Sequence, residues 1–470
     1  MRTLIAGGRV ITATDEYACD VYVEGEVITA LGCGLDVPVD RVIDASGKYV
    51  LPGLIDPHVH LETPAAGTVT CDDFTSGTIA AAFGGTTTAI HFCVPGPEQD
   101  FLEVLADWRE RLAAHKPAID IGFHMFVTGL GRSTTLEELA QLPDLGVTTF
   151  KVFMAYKDEL MLDDAALLET MQLAARLGAL VMVHAENGDV IDLLVRQALA
   201  EGRTEPRWHG ATRPPLTEGE ATHRIIELAR LAEASLYVVH VSCEESLVHV
   251  RRARTAGWDV HAETCTHYLL LDDTVLDQPG FDPARYVYSP PPRAAANHEF
   301  LWNALGAGAL SVVSSDHNAY TMEQKAIGRD DFSKIPNGAP GIEHRLVLLH
   351  HFGVRTGRIT PSRMVDLLAT TPARLFGLYP RKGSVSVGAD ADLVIFDPEK
   401  PLRISASTQH STADYCLYDG LDVVGAPETV LLRGTVVVDD GKLVTSPGSG
   451  EFIARARTGQ PLVRTSEKLA

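Results

Sequence analysis

Residues 149–157 read TFKVFMAYK, a stretch with the β-branched and aromatic composition of a buried strand. Its third residue, Lys151, does not suit that setting, because burying an unpaired ammonium group costs several kcal/mol, roughly, even after the protein relaxes. The ordinary explanation is a lysine at a strand end that buries its aliphatic stem and extends its charged head to water. The rest of the sequence decides between that explanation and a functional one.

Seven further apolar runs resemble this stretch, and helical stretches such as LEELAQL, ALLETMQLAARLG and EATHRIIELARLAEA separate them. The eight runs are GLIDPHV near residue 56, GTTTAIHF near 88, AIDIGFHMF near 122, VTTFKVF near 150, ALVMVH near 182, SLYVVHV near 238, WDVHAET near 260 and LSVVSSD near 313. Strands that alternate with helices indicate parallel βα units. Eight such units over about 320 residues predict an α/β fold, a (β/α)8 TIM barrel with insertions.

Both ends of the chain carry short β-like runs punctuated by glycine, among them DVYVEGEVITAL and TVLLRGTVVVDDGKLV. Neither end has enough strands to bury a sheet face alone, so we expect the two ends to pair. The predicted organisation is a composite β-sandwich domain of residues 1–53 and 376–445, and a TIM-barrel domain of residues 54–375. A C-terminal tail, residues 446–470, is expected to take part in oligomer contacts.

The composition excludes several classes of partner. The chain has 470 residues, and 40 basic against 62 acidic residues give a net charge of −22, which argues against nucleic-acid binding. No apolar run approaches the ~20 residues of a membrane span, and the N-terminus does not read as a signal peptide. Seven cysteines, scattered and never arranged as CxxC, indicate reduced thiols and a cytoplasmic location.

Polar residues mark the carboxyl ends of five of the eight runs, on the face where TIM barrels hold their catalytic groups. A single histidine at a strand end is usually a core or rim residue whose hydrogen bonds are made within the protein. Six separate explanations of that kind account for the pattern less well than one metal site does. His58 and His60 are two residues apart in extended chain, so their rings point the same way. The six candidate ligands are His58, His60, Lys151, His184, His240 and Asp316.

The donor types constrain the metal. Four imidazoles and a carboxylate without thiolate favour Zn²⁺, with Mn²⁺, Co²⁺ or Ni²⁺ as alternatives. Five such ligands exceed the needs of one tetrahedral ion with an open position, whereas two divalent ions would use them all but need a bridging anion. A desolvated lysine presents a neutral amine, and such an amine can add carbon dioxide to become a carbamate. We therefore predict N6-carboxylysine at Lys151.

The motifs that carry these residues also resemble those of a known family, the cyclic amidohydrolases of the dihydropyrimidinase and D-hydantoinase group. The resemblance spans nearly the whole chain and rests on GLIDPHVHL, FKVFMAYK, VHAEN, VVHVS, ETCTHYLLL, YSPPPR, SSDHNAY and IPNGAPGIEHR. It implies hydrolysis of the ring amide of 5,6-dihydropyrimidines or 5-substituted hydantoins to N-carbamoyl amino acids. It also implies a homotetramer, or a homodimer, that acts on a small-molecule substrate.

The resemblance assigns a role to each candidate residue. His58, His60, carboxylated Lys151 and Asp316 would hold the more buried ion, with a hydroxide between the two ions. Lys151, His184 and His240 would hold the more exposed one. Asp316 would also shuttle the proton.

For the substrate, the resemblance implies that Tyr156 faces the carbonyl oxygen and that the backbones of Ser289 and Asn337 bind the ring. The loop containing Thr63 and Ala65 would line the pocket for the ring substituent, with Phe153 as an aromatic wall. Thr63 and Ala65 stand where relatives often have bulky apolar residues. No role is evident from the sequence for His91.

Four alternatives remain beside this interpretation. A dihydroorotase would have an arginine two places after the second histidine, where this chain has Glu62. A phosphotriesterase-type hydrolase shares the metal layout without the ring-binding motifs. An allantoinase-like enzyme acting on another cyclic ureide is harder to separate. A non-catalytic dihydropyrimidinase-related scaffold is disfavoured, because such proteins lose metal ligands and carry a long Ser/Thr/Pro-rich tail.

Overall fold

The computed structural model describes residues 1–96, 99–128, 136–445 and 447–458, together with Gln460 and Leu462. Within them, a barrel of eight parallel strands lies beside a smaller two-sheet unit to which both chain ends contribute. This confirms the predicted α/β fold, a TIM barrel with a β-sandwich from both ends. The described part of the chain has no helix that is both long enough and apolar enough to cross a membrane.

Seven short strands precede the barrel. They are β1 (Arg2–Ala6), β2 (Arg9–Ile11), β3 (Glu16–Ala18), β4 (Asp20–Glu24), β5 (Val27–Gly32), β6 (Arg41–Asp44) and β7 (Tyr49–Pro52). The barrel strands and a two-stranded hairpin follow: β8 (Leu54–Val59), the hairpin β9 (Pro64–Ala65) and β10 (Thr68–Val69), β11 (Thr86–Cys93), β12 (Asp120–Phe126), β13 (Thr149–Phe153), β14 (Leu180–His184), β15 (Leu236–Val238), β16 (Val260–Cys265) and β17 (Val312–Ser314). Four strands complete the smaller unit: β18 (Leu393–Arg403), β19 (Asp422–Leu432), β20 (Thr435–Asp439) and β21 (Lys442–Leu443).

The helices lie mainly between the barrel strands. The α-helices are α1 (Ser76–Phe83), α2 (Phe101–Ala114), α3 (Leu136–Leu139), α4 (Asp164–Leu177), α5 (Gly188–Ala200), α6 (Arg207–Ala211), α7 (Pro215–Ala232), α8 (Glu244–Thr255), α9 (Thr266–Leu270), α10 (Ala296–Ala307), α11 (Met322–Lys325), α12 (Arg345–Leu349), α13 (Pro361–Val365) and α14 (Thr371–Leu375). The 3₁₀ turns are Leu142–Leu145, Asp273–Leu276, Asp282–Tyr286, Ala326–Gly328 and Phe332–Lys334. The π-helical turns His350–Val354 and Asp366–Thr370 continue α12 and α13.

The barrel follows the order of the chain, from β8 through β11 to β17, with every strand parallel to its neighbour. A parallel bridge between Val59 and His317 brings the first and last strands together. The predicted runs form these strands because they are apolar on both faces, as strands packed between a barrel interior and an outer layer of helices must be. The carboxyl ends of all eight strands therefore share one rim.

Strand β11 shows how the two faces separate. Phe92 points into the barrel, where its ring centroid lies 4.9 Å from that of His58 and 4.8 Å from that of His60. The adjacent His91 points outward and packs 4.5 Å from the ring of Trp108. The backbone N–H of Leu61 donates to His91 Nδ1 at 3.2 Å. His91 thus supports the chain that leaves β8 and lies outside the cluster of candidate ligands.

The smaller unit has two sheets, β5-β4-β1-β6 and β21-β20-β19-β18-β7-β2-β3. The chain ends meet where β7 pairs antiparallel with β18. Side chains from both sheets form its core, with Ile5 and Val21 on one side and Val50 and Ile395 on the other. The exact domain limits given above stay predictions.

A buried ionic cluster joins this unit to the barrel. Lys382 Nζ lies 2.8 Å from Asp120 Oδ2 on β12, 2.5 Å from Asp392 Oδ2 and 3.3 Å from Asp390 Oδ2. Arg433 also pairs with Asp120. Because these groups are out of water, each charge depends on its partners.

Lys382→Met is therefore expected to destabilise the protein by about 3–5 kcal/mol, because it leaves buried carboxylates without their shared cation. The melting temperature measured by circular dichroism should fall clearly. Lys400→Met is the matched control, since Lys400 is exposed and lies 3.7 Å from the exposed Asp440. Equal melting temperatures for the two variants would contradict this account of the junction.

The described part of the predicted tail packs on its own chain. Ile121 donates its N–H to Glu451 O, and Ile453 donates to Ile121 O, both at 2.9 Å, so this segment runs beside β12. The guanidinium of Arg455 is buried and donates to Phe123 O. A role in oligomer contacts stays a prediction, and residues 463–470 lie outside the described residues.

Candidate metal centre and substrate pocket

One cavity at the carboxyl rim of the barrel collects all the residues predicted for the site. Its volume is about 580 Å³. The twelve predicted residues that line it are His58, His60, Thr63, Ala65, Lys151, Phe153, Tyr156, His184, His240, Ser289, Asp316 and Asn337. Residues from β8 to the segment after β17 meet here because parallel strands end on the same rim.

Three predicted ligands converge at one point of the cavity. The Oδ1 atom of Asp316 lies 3.1 Å from Nε2 of His58 and 3.4 Å from Nε2 of His60. One ligand atom from each residue falls within 4.8 Å of the other two. Burial lowers the pKa of His60 to about 4, so its ring is neutral near pH 7 and keeps a lone pair for a cation.

Two buried carboxylates behind the ligands were not predicted. Glu263 on β16 contacts Nδ1 of His58 through Oε1 and accepts a hydrogen bond from Tyr237 Oη at 2.8 Å through Oε2. Glu186 Oε2 lies 2.8 Å from Nε2 of His184. A carboxylate on one ring nitrogen fixes the tautomer and orientation of a metal-binding histidine. Both residues stand in motifs quoted above, ETCTHYLLL and VHAEN, but the sequence assigned them no partner.

The ring of His240 has a buried nitrogen that suits cation binding. Its Nδ1 atom is buried and has no hydrogen-bond partner among the described residues. Its ring centroid lies 4.6 Å from that of His184 and 5.7 Å from that of His58. A buried polar atom without a partner is costly, and coordination of a cation at this place would satisfy it.

Lys151 occupies the barrel interior. The residue is 1% exposed, and its Nζ atom lies 5.2 Å from the ring centroids of both Phe92 and Phe153. No carboxylate in the described part of the chain forms an ion pair with it. Burial lowers the pKa of Lys151 to about 8, which increases the share of neutral amine. Together with four imidazoles and a carboxylate, this group fits a centre for divalent cations.

Tyr156 lies beside the candidate ligands, with its ring centroid 5.3 Å from that of His184. Burial raises the pKa of Tyr156 to about 12, nearby Glu186 contributes in the same direction, and hydrogen bonds with Ser289 and Asn337 oppose the shift. The phenol is therefore a hydrogen-bond donor at neutral pH.

The next residue in the Asn337 loop, Gly338, has φ of 145°, and a Cβ atom there would lie 2.2 Å from Asn318 O. Asn337 therefore sits in a turn that needs glycine beside it.

Three of the predicted site residues have a left-handed backbone, with φ of 62° at Tyr156, 40° at His240 and 46° at Asp316. For residues other than glycine this conformation costs roughly 1–3 kcal/mol each, and it is concentrated at functional sites. His240 and Asp316 lie two residues beyond the ends of β15 and β17. The turn after each strand redirects the side chain towards the cavity.

The hairpin β9–β10 forms one side of the cavity mouth. Thr63 is buried, and its hydroxyl donates to Leu61 O at 3.3 Å. Ala65 is exposed at the rim. Phe153 lies deeper, and its ring meets that of Phe126 edge to face, with 4.7 Å between the ring centroids. The cavity is also lined by residues that the sequence interpretation did not select, among them Arg213, Tyr288, Asn318 and Tyr320.

Comparison with known proteins places this geometry in a family. Residues 49–437 match the amidohydrolase family. The chain is 49% identical over 461 residues to a D-hydantoinase of Geobacillus stearothermophilus, covering 98% of both chains. It is 46% identical to a D-hydantoinase of Ralstonia pickettii, covering 98% of this chain and 100% of that one.

The fold agrees with solved structures. The crystal structure of dihydropyrimidinase from Brevibacillus agri NCHU1002 superimposes with a TM-score of 0.95 at 47% sequence identity, covering 98% of this chain and 100% of that chain. Full-length similarity at this identity extends the relationship through both the barrel and the smaller unit. The chain therefore belongs to the amidohydrolase family, within its group of D-hydantoinases and dihydropyrimidinases.

Proposed function

We propose that this protein hydrolyses the ring amide of 5,6-dihydropyrimidines or 5-substituted hydantoins to N-carbamoyl amino acids with the help of two divalent metal ions. The observation that carries the proposal is the convergence of His58, His60 and Asp316 beside the buried Lys151, in the cavity that Tyr156 also lines. The named relatives support the substrate class.

In this proposal His58, His60, carboxylated Lys151 and Asp316 would hold one ion, and Lys151, His184 and His240 would hold the other. Zn²⁺ suits the nitrogen and oxygen donors best, with Mn²⁺, Co²⁺ and Ni²⁺ as alternatives. When bound, two such cations supply an activated water near neutral pH and polarise the amide carbonyl. Glu263 and Glu186 orient the rings of His58 and His184 through the contacts described above.

The side chains of the pocket carry the remaining steps. Asp316 turns Oδ1 towards His58 and His60, which leaves Oδ2 to accept a proton from the attacking water. The carboxyl then returns this proton to the ring nitrogen as the C–N bond breaks. The phenol of Tyr156 donates a hydrogen bond to the oxygen that develops negative charge. The backbones of Ser289 and Asn337 bind the polar edge of the ring.

A substrate panel combined with metal analysis tests the proposal. The purified protein is assayed with dihydrouracil, hydantoin, 5-phenylhydantoin, allantoin and dihydroorotate, and its metal content is measured. Turnover of the first three with about two metals per chain is the expected result. Preference for allantoin would favour the allantoinase-like alternative. Absence of both metals and turnover would favour the non-catalytic scaffold.

Tyr156→Phe is expected to lower kcat by a factor on the order of 10²–10³, because it removes one donor to the developing oxyanion. The melting temperature should change little, since the ring and its packing remain. Steady-state kinetics on hydantoin and thermal unfolding measure the two effects. An unchanged kcat would remove Tyr156 from the mechanism.

Ala65→Phe is expected to lower kcat/KM for 5-phenylhydantoin by about 10-fold or more relative to hydantoin, because a larger side chain at the cavity mouth competes with the ring substituent. Thr63 and Ala65 leave room there, so the wild-type protein should accept bulky 5-substituents at least as well as it accepts dihydrouracil. Hydantoin serves as the internal control. Equal losses for both substrates would show that residue 65 does not contact the substituent.

The assembly is proposed to be a homotetramer, with a homodimer as the alternative. Native mass spectrometry measures the number of chains. A cytoplasmic location is also proposed, supported by seven cysteines that form no disulfide in the described chain.

A further inference from the structure

Lys325, at the end of α11, is a second fully buried lysine near the cavity, and no carboxylate among the described residues pairs with it. Its Nζ atom instead donates to three backbone carbonyls, Val287 O at 2.8 Å, Pro336 O at 2.7 Å and Gly338 O at 2.7 Å. Burial lowers the pKa of Lys325. Three acceptors at these distances nevertheless require three N–H donors, which only the ammonium form has.

The three carbonyls belong to two separate segments of the chain. Val287 precedes Ser289 by two residues, and Pro336 and Gly338 flank Asn337. These are the segments proposed to bind the substrate ring through their backbones. The ammonium group thus joins both walls of the ring-binding part of the cavity at a single point.

Lys325 is not the only link between these segments: Tyr156 bonds with Ser289 and Asn337, and Val287 and Ile335 share an apolar cluster. The N–H of Gly338 donates to Val287 O at 3.0 Å, and Asn318 Nδ2 donates to Asn337 O at 3.1 Å. An apolar residue in place of Lys325 would leave the carbonyls of Pro336 and Gly338 without this donor, while Val287 O keeps the N–H of Gly338. The loop of Asn337 would then shift to let the two carbonyls reach water. Keeping the charged ammonium group of Lys325 buried is costly. This cost indicates that the residue holds the carbonyls in position and does not merely fill space.

We infer that Lys325 is a positioning residue, whose ammonium group fixes the spacing of the Ser289 and Asn337 segments and thereby sets the affinity of the cavity for the substrate ring. The inference rests on the proposed function for its kinetic part only. That Lys325 holds the Ser289 and Asn337 segments together concerns only the folded chain. Hydrogen–deuterium exchange therefore tests this contact independently of turnover.

The experiment compares Lys325→Met with the wild-type protein and with Lys382→Met, which removes an equally buried lysine at the distant domain junction. Exchange is followed in peptides that cover residues 286–290 and 335–339. Lys325→Met should accelerate exchange in both peptides, whereas Lys382→Met should not. Metal content should stay at the wild-type value, because Lys325 does not contact the predicted ligands.

For hydantoin, Lys325→Met should raise KM by about 10-fold or more while kcat changes by less than about threefold, since ring binding is weakened in the ground state and transition state alike. Lys382→Met should lower the melting temperature without changing KM. If Lys325→Met behaves like Lys382→Met, with lower stability but unchanged KM and unchanged exchange in the two peptides, the inference is overturned. Faster exchange with unchanged KM would also overturn the assignment to substrate affinity.

Lys325→Gln provides a second variant should the methionine variant fail to fold. Glutamine is neutral and has two N–H donors, so at least one of the three carbonyls loses its partner. An intermediate rise in both KM and exchange is expected, and wild-type values for a folded Lys325→Gln protein would reject the inference. If the wild-type protein turns over none of the cyclic amides, the proposed function fails, while the exchange measurements still decide whether Lys325 holds the two segments.

Discussion

Lys151→Ala is expected to abolish both metal binding and hydrolysis. In the proposed centre the carbamate of Lys151 would be the one protein ligand shared by both cations, and it would offset their mutual repulsion in a cavity where charges are poorly screened. Alanine removes the amine that forms this carbamate and leaves histidines and a single carboxylate. The variant should still fold, because an apolar side chain on β13 suits the surrounding aromatic rings of Phe92 and Phe153.

Metal content by inductively coupled plasma mass spectrometry, hydantoin turnover and circular dichroism together test this expectation. Lys400→Ala, a change of an exposed lysine, controls for loss of a lysine as such. A small carboxylic acid added to Lys151→Ala should partly restore metal binding and activity by replacing the missing bridge. Two tightly bound metals with normal turnover in Lys151→Ala would reject the carbamate.

Asp316→Asn is expected to lower kcat by a factor on the order of 10²–10⁴ while much of the metal remains bound. The amide oxygen can still face His58 and His60, but the side chain can no longer accept a proton from water and return it to the ring nitrogen. The loss should appear in kcat and in kcat/KM together, since proton transfer belongs to the transition state.

The measurement pairs steady-state kinetics with metal analysis on the same preparation, so that lost chemistry is separated from lost metal. Asp422→Asn is the control, because Asp422 is exposed and pairs with Arg403 at the surface. A folded, metal-loaded Asp316→Asn protein with wild-type kcat would remove Asp316 from the proton transfer. Complete loss of metal would instead show that the negative charge of Asp316 is needed to bind the metal ions.

The sequence by itself determined the fold and the rim on which the site lies. Strand and helix patterns depend on neighbours a few residues away along the chain, so TFKVF and the seven other runs could be recognised one at a time. Parallel strands in a barrel must end on a common rim, and this rule brought His58, His184, His240 and Asp316 to one cavity before any distance was known. The roles of Ser289 and Asn337 came from family resemblance alone, because no local pattern distinguishes a ring-binding turn from an ordinary one.

Only the tertiary structure decided which polar groups face one another. Glu263 contacts His58 across 205 positions, Lys382 reaches Asp120 across 262, and Lys325 joins two loops that no periodicity relates. His91 points outward and its neighbour Phe92 points inward, because successive side chains of a barrel strand lie on opposite sides of the barrel wall. The physical reason is that buried charges and hydrogen-bonding groups are satisfied by whichever partner the closed barrel brings near them, and that partner has no fixed distance along the sequence.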